Sequence, residues 1–145
     1  MSHPEAVILV VEDDFVDVEI VNRAVAKRGL QATVLSAADG NAALKILRSD
    51  ALSPEQRCRT VVFLDINMPG MNGHQFLDEL RSDPSLQQTI VFVLTTSDHP
   101  RDIARAYQKN VAGYFLKSKL DGLMQATAIY LENALFPSIG LPGPQ

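Results

Sequence analysis

Short apolar runs alternate with amphipathic segments along the chain, and the alternation repeats five times. Continuous apolar runs bounded by polar residues are typical of strands that are buried on both faces of a sheet. Between them, apolar residues recur at the three- and four-residue spacing of a helix. The runs predict strands over residues 7–11, 32–36, 60–64, 89–94 and 112–116.

Each predicted helix begins at a residue whose side chain can accept hydrogen bonds from the amides of the first turn. Gln75 and Asp121 follow two of these residues at the three-residue spacing of a capping box. Residues 49–59, between the second helix and the third strand, are predicted to be a polar loop. The predicted capping residues are Asp14, Asp39, Asn72, either Ser97 or Asp98, and Ser118.

Strands that alternate with helices predict an α/β fold, in which a parallel sheet carries helices on both faces. The five units account for residues 6–134, so we expect one domain without internal repeats. Residues 135–145 are rich in Pro and Gly and are predicted to be a C-terminal tail. No segment remains for a second, output domain.

Composition argues against several classes of function. The chain has 145 residues, a net charge of -4 and no Lys/Arg run longer than two residues. It therefore lacks the basic surface expected of a nucleic-acid-binding module. No apolar run approaches the length of a membrane span, and the N-terminus does not resemble a signal peptide. The single Cys58 cannot form an intrachain disulfide, which predicts a reducing compartment, the cytoplasm.

Polar or charged residues follow four of the five predicted strands. Glu12 and Asp13 follow the first strand, and Asp65 follows the third. Thr95 follows the fourth strand, and Lys117 follows the fifth. Because parallel strands place their carboxyl ends at one edge of the sheet, we expect these side chains to converge there.

Three carboxylates at one place repel each other, and a hard divalent cation relieves the repulsion. Mg²⁺ takes oxygen ligands in octahedral geometry and usually keeps several waters. Glu12, Asp13 and Asp65 are therefore predicted to bind Mg²⁺ through their side chains. The backbone carbonyl of Asn67 is predicted to complete the protein's share of the coordination shell.

The remaining two groups suit a phosphoryl group beside that metal. The Thr95 hydroxyl and the Lys117 ammonium can both donate hydrogen bonds to phosphoryl oxygens. A carboxylate in such a site can attack phosphorus and become an acyl phosphate, which is a known nucleophilic chemistry. The residues thus predict a site in which one of the carboxylates attacks a phosphorus and becomes phosphorylated.

The motifs at these strand ends resemble those of the receiver domain of two-component response regulators. They stand in the family's order and at family-like separations, and the resemblance covers roughly residues 6–134. It implies a doubly wound, flavodoxin-like five-stranded parallel sheet of order 2-1-3-4-5. The matching segments are Val10-Val11-Glu12-Asp13-Asp14, Leu64-Asp65-Ile66-Asn67-Met68-Pro69 with Gly73, Leu94-Thr95-Thr96-Ser97, and Gly113-Tyr114-Phe115-Leu116-Lys117.

The resemblance also implies a role for each matching residue. Asp65 would accept a phosphoryl group from a histidine kinase or a phosphotransfer protein in a Mg²⁺-dependent reaction. Thr95 would turn toward the phosphoryl group, Lys117 would pair with it, and Tyr114 would move inward as the aromatic switch. The protein would be a phosphoacceptor that catalyses its own phosphorylation and dephosphorylation, not an enzyme. It would signal by protein contacts through the fourth helix, fifth strand and fifth helix.

One position departs from the family pattern. Ser118 follows Lys117, where the family usually has a proline in a cis peptide, so this bond is left open between cis and trans. Lys-Ser here, with Glu-Asp-Asp and Leu-Thr-Thr-Ser, resembles the stand-alone receivers associated with bacterial phytochrome kinases. That subgroup implies a bacterial phytochrome as partner and a C-terminal extension that embraces a second protomer. We hypothesise a two-fold homodimer through the tail, the output face, or both.

Three other functions are compatible with parts of this pattern. A Mg²⁺-dependent phosphatase or phosphotransferase with an Asp nucleophile typically has a second acid two residues later, where this chain has Asn67. A flavin-binding module of the same fold needs a phosphate-binding loop after the first strand, where Glu12, Asp13 and Asp14 would repel a phosphate. A pseudo-receiver would work by protein contacts alone and would not need the complete set of switch residues.

Overall fold

The computed structural model describes residues 6–133 and Phe136, and its centre is a five-stranded parallel sheet. The strand order is β2-β1-β3-β4-β5, which confirms the order implied by the resemblance. Every residue of β1 and β3 is buried, which explains why both strands are continuous apolar runs. The strands are β1 (Ala6–Val11), β2 (Ala32–Ala37), β3 (Thr60–Leu64), β4 (Ile90–Thr95) and β5 (Gly113–Leu116).

Helices cover both faces of the sheet. Side chains alternate along β1, so that Val7, Leu9 and Val11 belong to one core cluster and Ile8 and Val10 to the other. Helices α2, α4 and α5 complete the first cluster, and α1 and α6 complete the second. The helices are α1 (Phe15–Arg28), α2 (Gly40–Arg48), α3 (Pro54–Cys58), α4 (Gly73–Ser82), α5 (Pro100–Gln108) and α6 (Leu120–Asn133).

The short helix α3 shows that the prediction of a polar loop over residues 49–59 was wrong in its second half. Ser53 Oγ accepts a hydrogen bond from the Gln56 amide at 3.1 Å, and Gln56 Oε1 accepts one from the Ser53 amide at 2.9 Å. Pro54 occupies the first helical position, where a missing amide hydrogen costs nothing. Because α3 is additional, the fourth and fifth predicted helices are α5 and α6.

Three of the five predicted helix caps are confirmed, and two are wrong. Asp14, Asp39 and Asn72 each accept a hydrogen bond from a first-turn amide. The cap of α5 is His99, whose Nδ1 accepts from the Arg101 amide at 3.1 Å. Before α6, residues 117–119 form a 3₁₀ turn without a side-chain cap, so Ser118 does not open a capping box. Among the described residues no peptide bond is cis, and the Lys117–Ser118 bond is therefore trans.

The last described residue, Phe136, packs beside the amino ends of the strands. Its ring makes an edge contact with Tyr130 at a centroid distance of 6.3 Å, and the Arg59 guanidinium lies 5.5 Å from the ring centroid. The rest of the predicted tail lies outside the described residues, so the tail and the domain boundary at residue 134 stay predictions. None of the helices that the structure describes has the length and apolar character needed to cross a membrane.

Candidate functional site

The polar residues that follow the strands do meet at the carboxyl edge, the edge of the sheet formed by the carboxyl ends of the strands. Thr95 Oγ1 donates a hydrogen bond to Asp65 Oδ1 at 2.9 Å, although 30 residues separate them in sequence. Lys117 Nζ donates to Asp65 Oδ2 at 3.1 Å and also contacts the Glu12 carboxylate. The side chains at the carboxyl ends of β1, β4 and β5 thus converge near Asp65, which follows β3.

Three carboxylates at this edge can hold a divalent metal. Glu12, Asp13 and Asp65 each offer one oxygen, and these oxygens all lie within 4.8 Å of one another. Glu12 and Asp65 are buried, whereas Asp13 is exposed, so the cluster opens toward solvent on the Asp13 side. The donor set consists of hard carboxylate oxygens, and it fits the coordination chemistry of Mg²⁺ or Mn²⁺.

The Asp65 carboxylate is held on both of its oxygens. Oδ1 accepts the Thr95 hydroxyl and also the Asn67 amide N–H, the latter at 3.0 Å. Oδ2 accepts from Lys117. The Asn67 residue therefore orients Asp65 through its amide, while the predicted metal contact of its carbonyl stays a prediction.

Burial and neighbouring charges shift the pKa values of Glu12 and Lys117 in this site. Burial raises the pKa of Glu12 to about 7, and the neighbouring Asp65 charge adds to the rise, while Lys117 opposes it. Burial by itself would lower the pKa of Lys117, but hydrogen bonds to Asp17, Glu12 and Asp65 outweigh it and raise this pKa well above its usual value. A cation at the cluster would relieve the cost of burying the acidic groups.

The loop after β4 is connected to two helices by side-chain hydrogen bonds that no sequence motif indicates. Tyr114 donates its hydroxyl hydrogen to the Ser97 carbonyl at 2.8 Å. Ser97 Oγ donates to Asp102 Oδ2 at 2.7 Å, and Asp102 Oδ1 lies 3.1 Å from His74 Nε2. His74 is buried on α4, next to the loop that follows Asp65. Thr95, Tyr114, α4 and α5 are therefore parts of one hydrogen-bonded unit.

A fourth carboxylate, Asp17, also contacts the lysine. Lys117 Nζ donates to Asp17 Oδ2 at 2.7 Å, across 100 residues of sequence. In the sequence, Asp17 is simply an acidic residue in the first turn of α1. The available signal was its place in the first turn of α1, which begins two residues after Asp13.

Comparison with known proteins agrees with this geometry. The family profile described as the response regulator receiver domain matches residues 8–128. The response regulator Rcp1 of Synechocystis sp. is 30% identical over 118 residues, which are 81% of this chain and 80% of Rcp1.

Two solved structures extend the comparison to the fold. The phosphorylated cyanobacterial phytochrome response regulator RcpA is 29% identical and gives a TM-score of 0.74, covering 93% of this chain and 100% of RcpA. The Mn²⁺-bound form of Rcp1 is 28% identical and gives a TM-score of 0.69, covering 97% of this chain and 100% of Rcp1. The family match covers more than half of this chain. The chain therefore belongs to the response regulator receiver domain family and is a receiver of two-component signalling.

Proposed function

We propose that Asp65 is the phosphoacceptor of this receiver. A carboxylate oxygen of Asp65 forms a bond to phosphorus while the P–N bond of a phosphohistidine on the donor protein breaks. The leaving imidazole nitrogen keeps the electron pair and takes up a proton from water. The observation that carries the proposal is the convergence of two side-chain hydrogen-bond donors and two further carboxylates on the buried Asp65 side chain.

The cofactor that we propose is Mg²⁺, held by Glu12, Asp13 and Asp65 and by the backbone carbonyl of Asn67. When bound, Mg²⁺ supplies positive charge that offsets both the carboxylates and the phosphoryl oxygens. The burial of Glu12 and Asp65 supports this choice, because two buried carboxylates with one lysine between them leave the site acidic. The Mn²⁺ in the Rcp1 structure is a similar hard divalent cation.

Thr95 and Lys117 are proposed to hold the phosphoryl oxygens after transfer. Both already donate to Asp65, so a short movement of each side chain would bring its donor to the new group. If the Thr95 hydroxyl turns toward the phosphoryl group, the Ser97 carbonyl moves with the loop and the hydrogen bond from Tyr114 is disturbed. We propose that Tyr114 then moves inward and changes the surface formed by α5, β5 and α6.

The same groups are proposed to catalyse both the transfer and the later hydrolysis of the acyl phosphate. The protein would then modify itself and would not act as an enzyme on a separate substrate. Intact mass spectrometry after incubation with acetyl phosphate and Mg²⁺ tests the acceptor. Wild type should gain the mass of one phosphoryl group, Asp65→Asn should gain none, and EDTA should prevent the gain. Asp50→Asn, which changes an exposed aspartate outside the site, should behave like wild type.

Two outcomes would contradict the proposal. A phosphoryl group on Asp65→Asn would mean that another residue is the acceptor. No gain in wild type, either from acetyl phosphate or from a phosphorylated histidine phosphotransfer protein, would leave a pseudo-receiver that works by protein contacts alone.

The donor that we propose is a histidine kinase or a phosphotransfer protein, and specifically a bacterial phytochrome kinase. Support comes from the likeness to RcpA, a phytochrome response regulator, and from the Lys-Ser dipeptide after β5. The lone cysteine suits a reducing compartment, so we propose that the partners meet in the cytoplasm. Transfer rates from a panel of phosphorylated kinases identify the donor, and a phytochrome that transfers no faster than unrelated kinases would refute this assignment.

We also propose a two-fold homodimer, formed through the tail, the α5–β5–α6 surface, or both. Tyr107 on α5 and Ile129 on α6 are each 49% exposed, which supports an apolar contact on that surface. Phe136 fixes the start of the tail against Tyr130. Light scattering at micromolar concentration should give the mass of a dimer, and a monomer both with and without phosphorylation would contradict this proposal.

A further inference from the structure

The Lys117 ammonium is bonded to three different carboxylates. It donates to Asp17 at 2.7 Å and to Asp65 at 3.1 Å, and it contacts Glu12 as well. A lysine ammonium has three hydrogens, so each carboxylate can take one of them. Only 20% of the Lys117 side chain is exposed, and the group lies in a pocket between α1 and α6.

Asp17 differs from the other two partners of the lysine. Glu12 and Asp65 belong to the described set of converging carboxylates that can hold a metal, and Asp17 does not. A cation and a phosphoryl group would therefore compete with Lys117 for Glu12 and Asp65. The contact with Asp17, which comes from a different element, would stay available.

We propose that Asp17 is a positioning residue for Lys117. It keeps Nζ beside the reacting carboxylate when Glu12 and Asp65 turn to the metal and the phosphoryl group. This inference rests on the proposed role of Asp65 as phosphoacceptor, and it adds a residue that acts on the phosphoryl group only through the lysine.

The physical reason is the flexibility of the lysine side chain. Four rotatable bonds separate Nζ from the backbone, and fixing them is costly unless a partner holds the end. Asp17 lies in the first turn of a packed helix, so its carboxylate is a fixed reference for the ammonium. Because 30% of the Asp17 side chain is exposed, the pair is partly solvated and can follow a small movement of the lysine.

The first test separates metal binding from phosphorylation. Asp17→Ala should lower the phosphorylation rate with acetyl phosphate and the affinity for beryllofluoride, a phosphoryl mimic, by roughly tenfold, as expected for a lost charge-assisted hydrogen bond. The Mg²⁺ dissociation constant from calorimetry should change by less than about threefold, since Asp17 is not a proposed ligand. Glu19→Ala removes the same charge from an exposed position of α1 and should leave the rate and the beryllofluoride affinity unchanged.

Two further measurements exclude an indirect effect. In ¹⁵N-labelled, metal-free protein, the Lys117 Nζ–H hydrogens should exchange slowly with water, and Asp17→Ala but not Glu19→Ala should speed this exchange. In a Lys117→Ala background, Asp17→Ala should cause no additional loss of rate. If Asp17→Ala does not fold, Asp17→Asn, which keeps the size and one oxygen acceptor, should give a smaller loss in the same direction.

The outcomes separate this inference from the function on which it rests. If wild type takes up no phosphoryl group and no beryllofluoride, the proposed function fails and the inference fails with it. If wild type is phosphorylated at Asp65 but Asp17→Ala matches it, only the inference fails. The inference would also be overturned if Asp17→Ala lowered the Mg²⁺ affinity as much as the phosphorylation rate. The same holds if Asp17→Ala lowered the rate equally in the Lys117→Ala background.

Discussion

A single added methyl group at Gly73 should disturb the loop that carries the proposed metal and phosphoryl chemistry. A Cβ on Gly73 would lie 2.5 Å from Ile66 Cα and 2.8 Å from the Asp65 carbonyl oxygen. Carbon atoms normally approach no closer than about 3.5 Å, so these atoms must separate by roughly an ångström. Both belong to the backbone, and the residues after β3 must therefore move away from the start of α4.

We expect Gly73→Ala to lower the free energy of unfolding by about 1–3 kcal/mol, the usual cost of overpacking a buried site. The phosphorylation rate of the folded protein should also fall, by about 100-fold, because a displacement near an ångström misplaces the reacting carboxylate. Urea denaturation of the metal-free protein measures the first quantity. Mass spectrometry with acetyl phosphate measures the second under conditions where both proteins are folded.

Gly122 provides a matched control for the same substitution. It lies in the first turn of α6, and an added Cβ would meet the Phe115 ring at 3.5 Å, an ordinary contact. Gly122→Ala should therefore stabilise the protein by roughly 0.5–1 kcal/mol, the gain expected for alanine over glycine in a helix. The reasoning would be refuted if Gly73→Ala were as stable as wild type, or if its phosphorylation rate were unchanged.

Two further predictions concern the framework around the site. The Arg81 guanidinium donates to four backbone carbonyls in the loops before β4 and β5, so Arg81→Met should lower the free energy of unfolding by about 2–4 kcal/mol in urea denaturation; an unchanged value would contradict this. Hydrogen bonds from Ser97 and His74 lower the pKa of Asp102, so its carboxylate stabilises the fold above its unfolded pKa, and this contribution is lost as the pH falls through the lower folded pKa. Urea denaturation between pH 7 and 3 should show wild type losing more stability below about pH 4 than Asp102→Asn, and parallel profiles would count against the interaction.

The strand ends could be predicted because their information is local. A run of buried positions ends where the first polar residue follows, and parallel pairing then carries Glu12, Asp65, Thr95 and Lys117 to one edge. No knowledge of the helix positions is needed for this step. The sheet order itself came from the resemblance to receivers and not from the apolar pattern.

The contacts of Asp17 and of His74 with Asp102 could not be derived in the same way. They depend on how far each helix is rotated about its axis and how closely it packs on its neighbour, and the apolar spacing leaves both quantities undetermined. The cap of α5 was missed for a related reason. Ser97 could have capped the helix, but in the structure its hydroxyl bonds to Asp102.

Helix α3 is a different kind of error, since its signal was present in the sequence. Ser53, Pro54 and Gln56 have the spacing of a capping box with proline at the first helical position. The segment has no buried residue, so it lacks the apolar periodicity on which the prediction of helices relied.

The bonding of Lys117 also has a consequence for acyl chemistry. Acetyl phosphate donates acetyl as well as phosphoryl groups, and an amine attacks the acetyl carbon only when it has lost its proton. Three carboxylate contacts raise the pKa of Lys117 and occupy its hydrogens, so its lone pair is withheld from electrophiles. Lys119, two residues away, is exposed to solvent. If acetyl phosphate phosphorylates this receiver as proposed, we expect Lys117 to stay unacetylated and the exposed Lys119 to be acetylated instead.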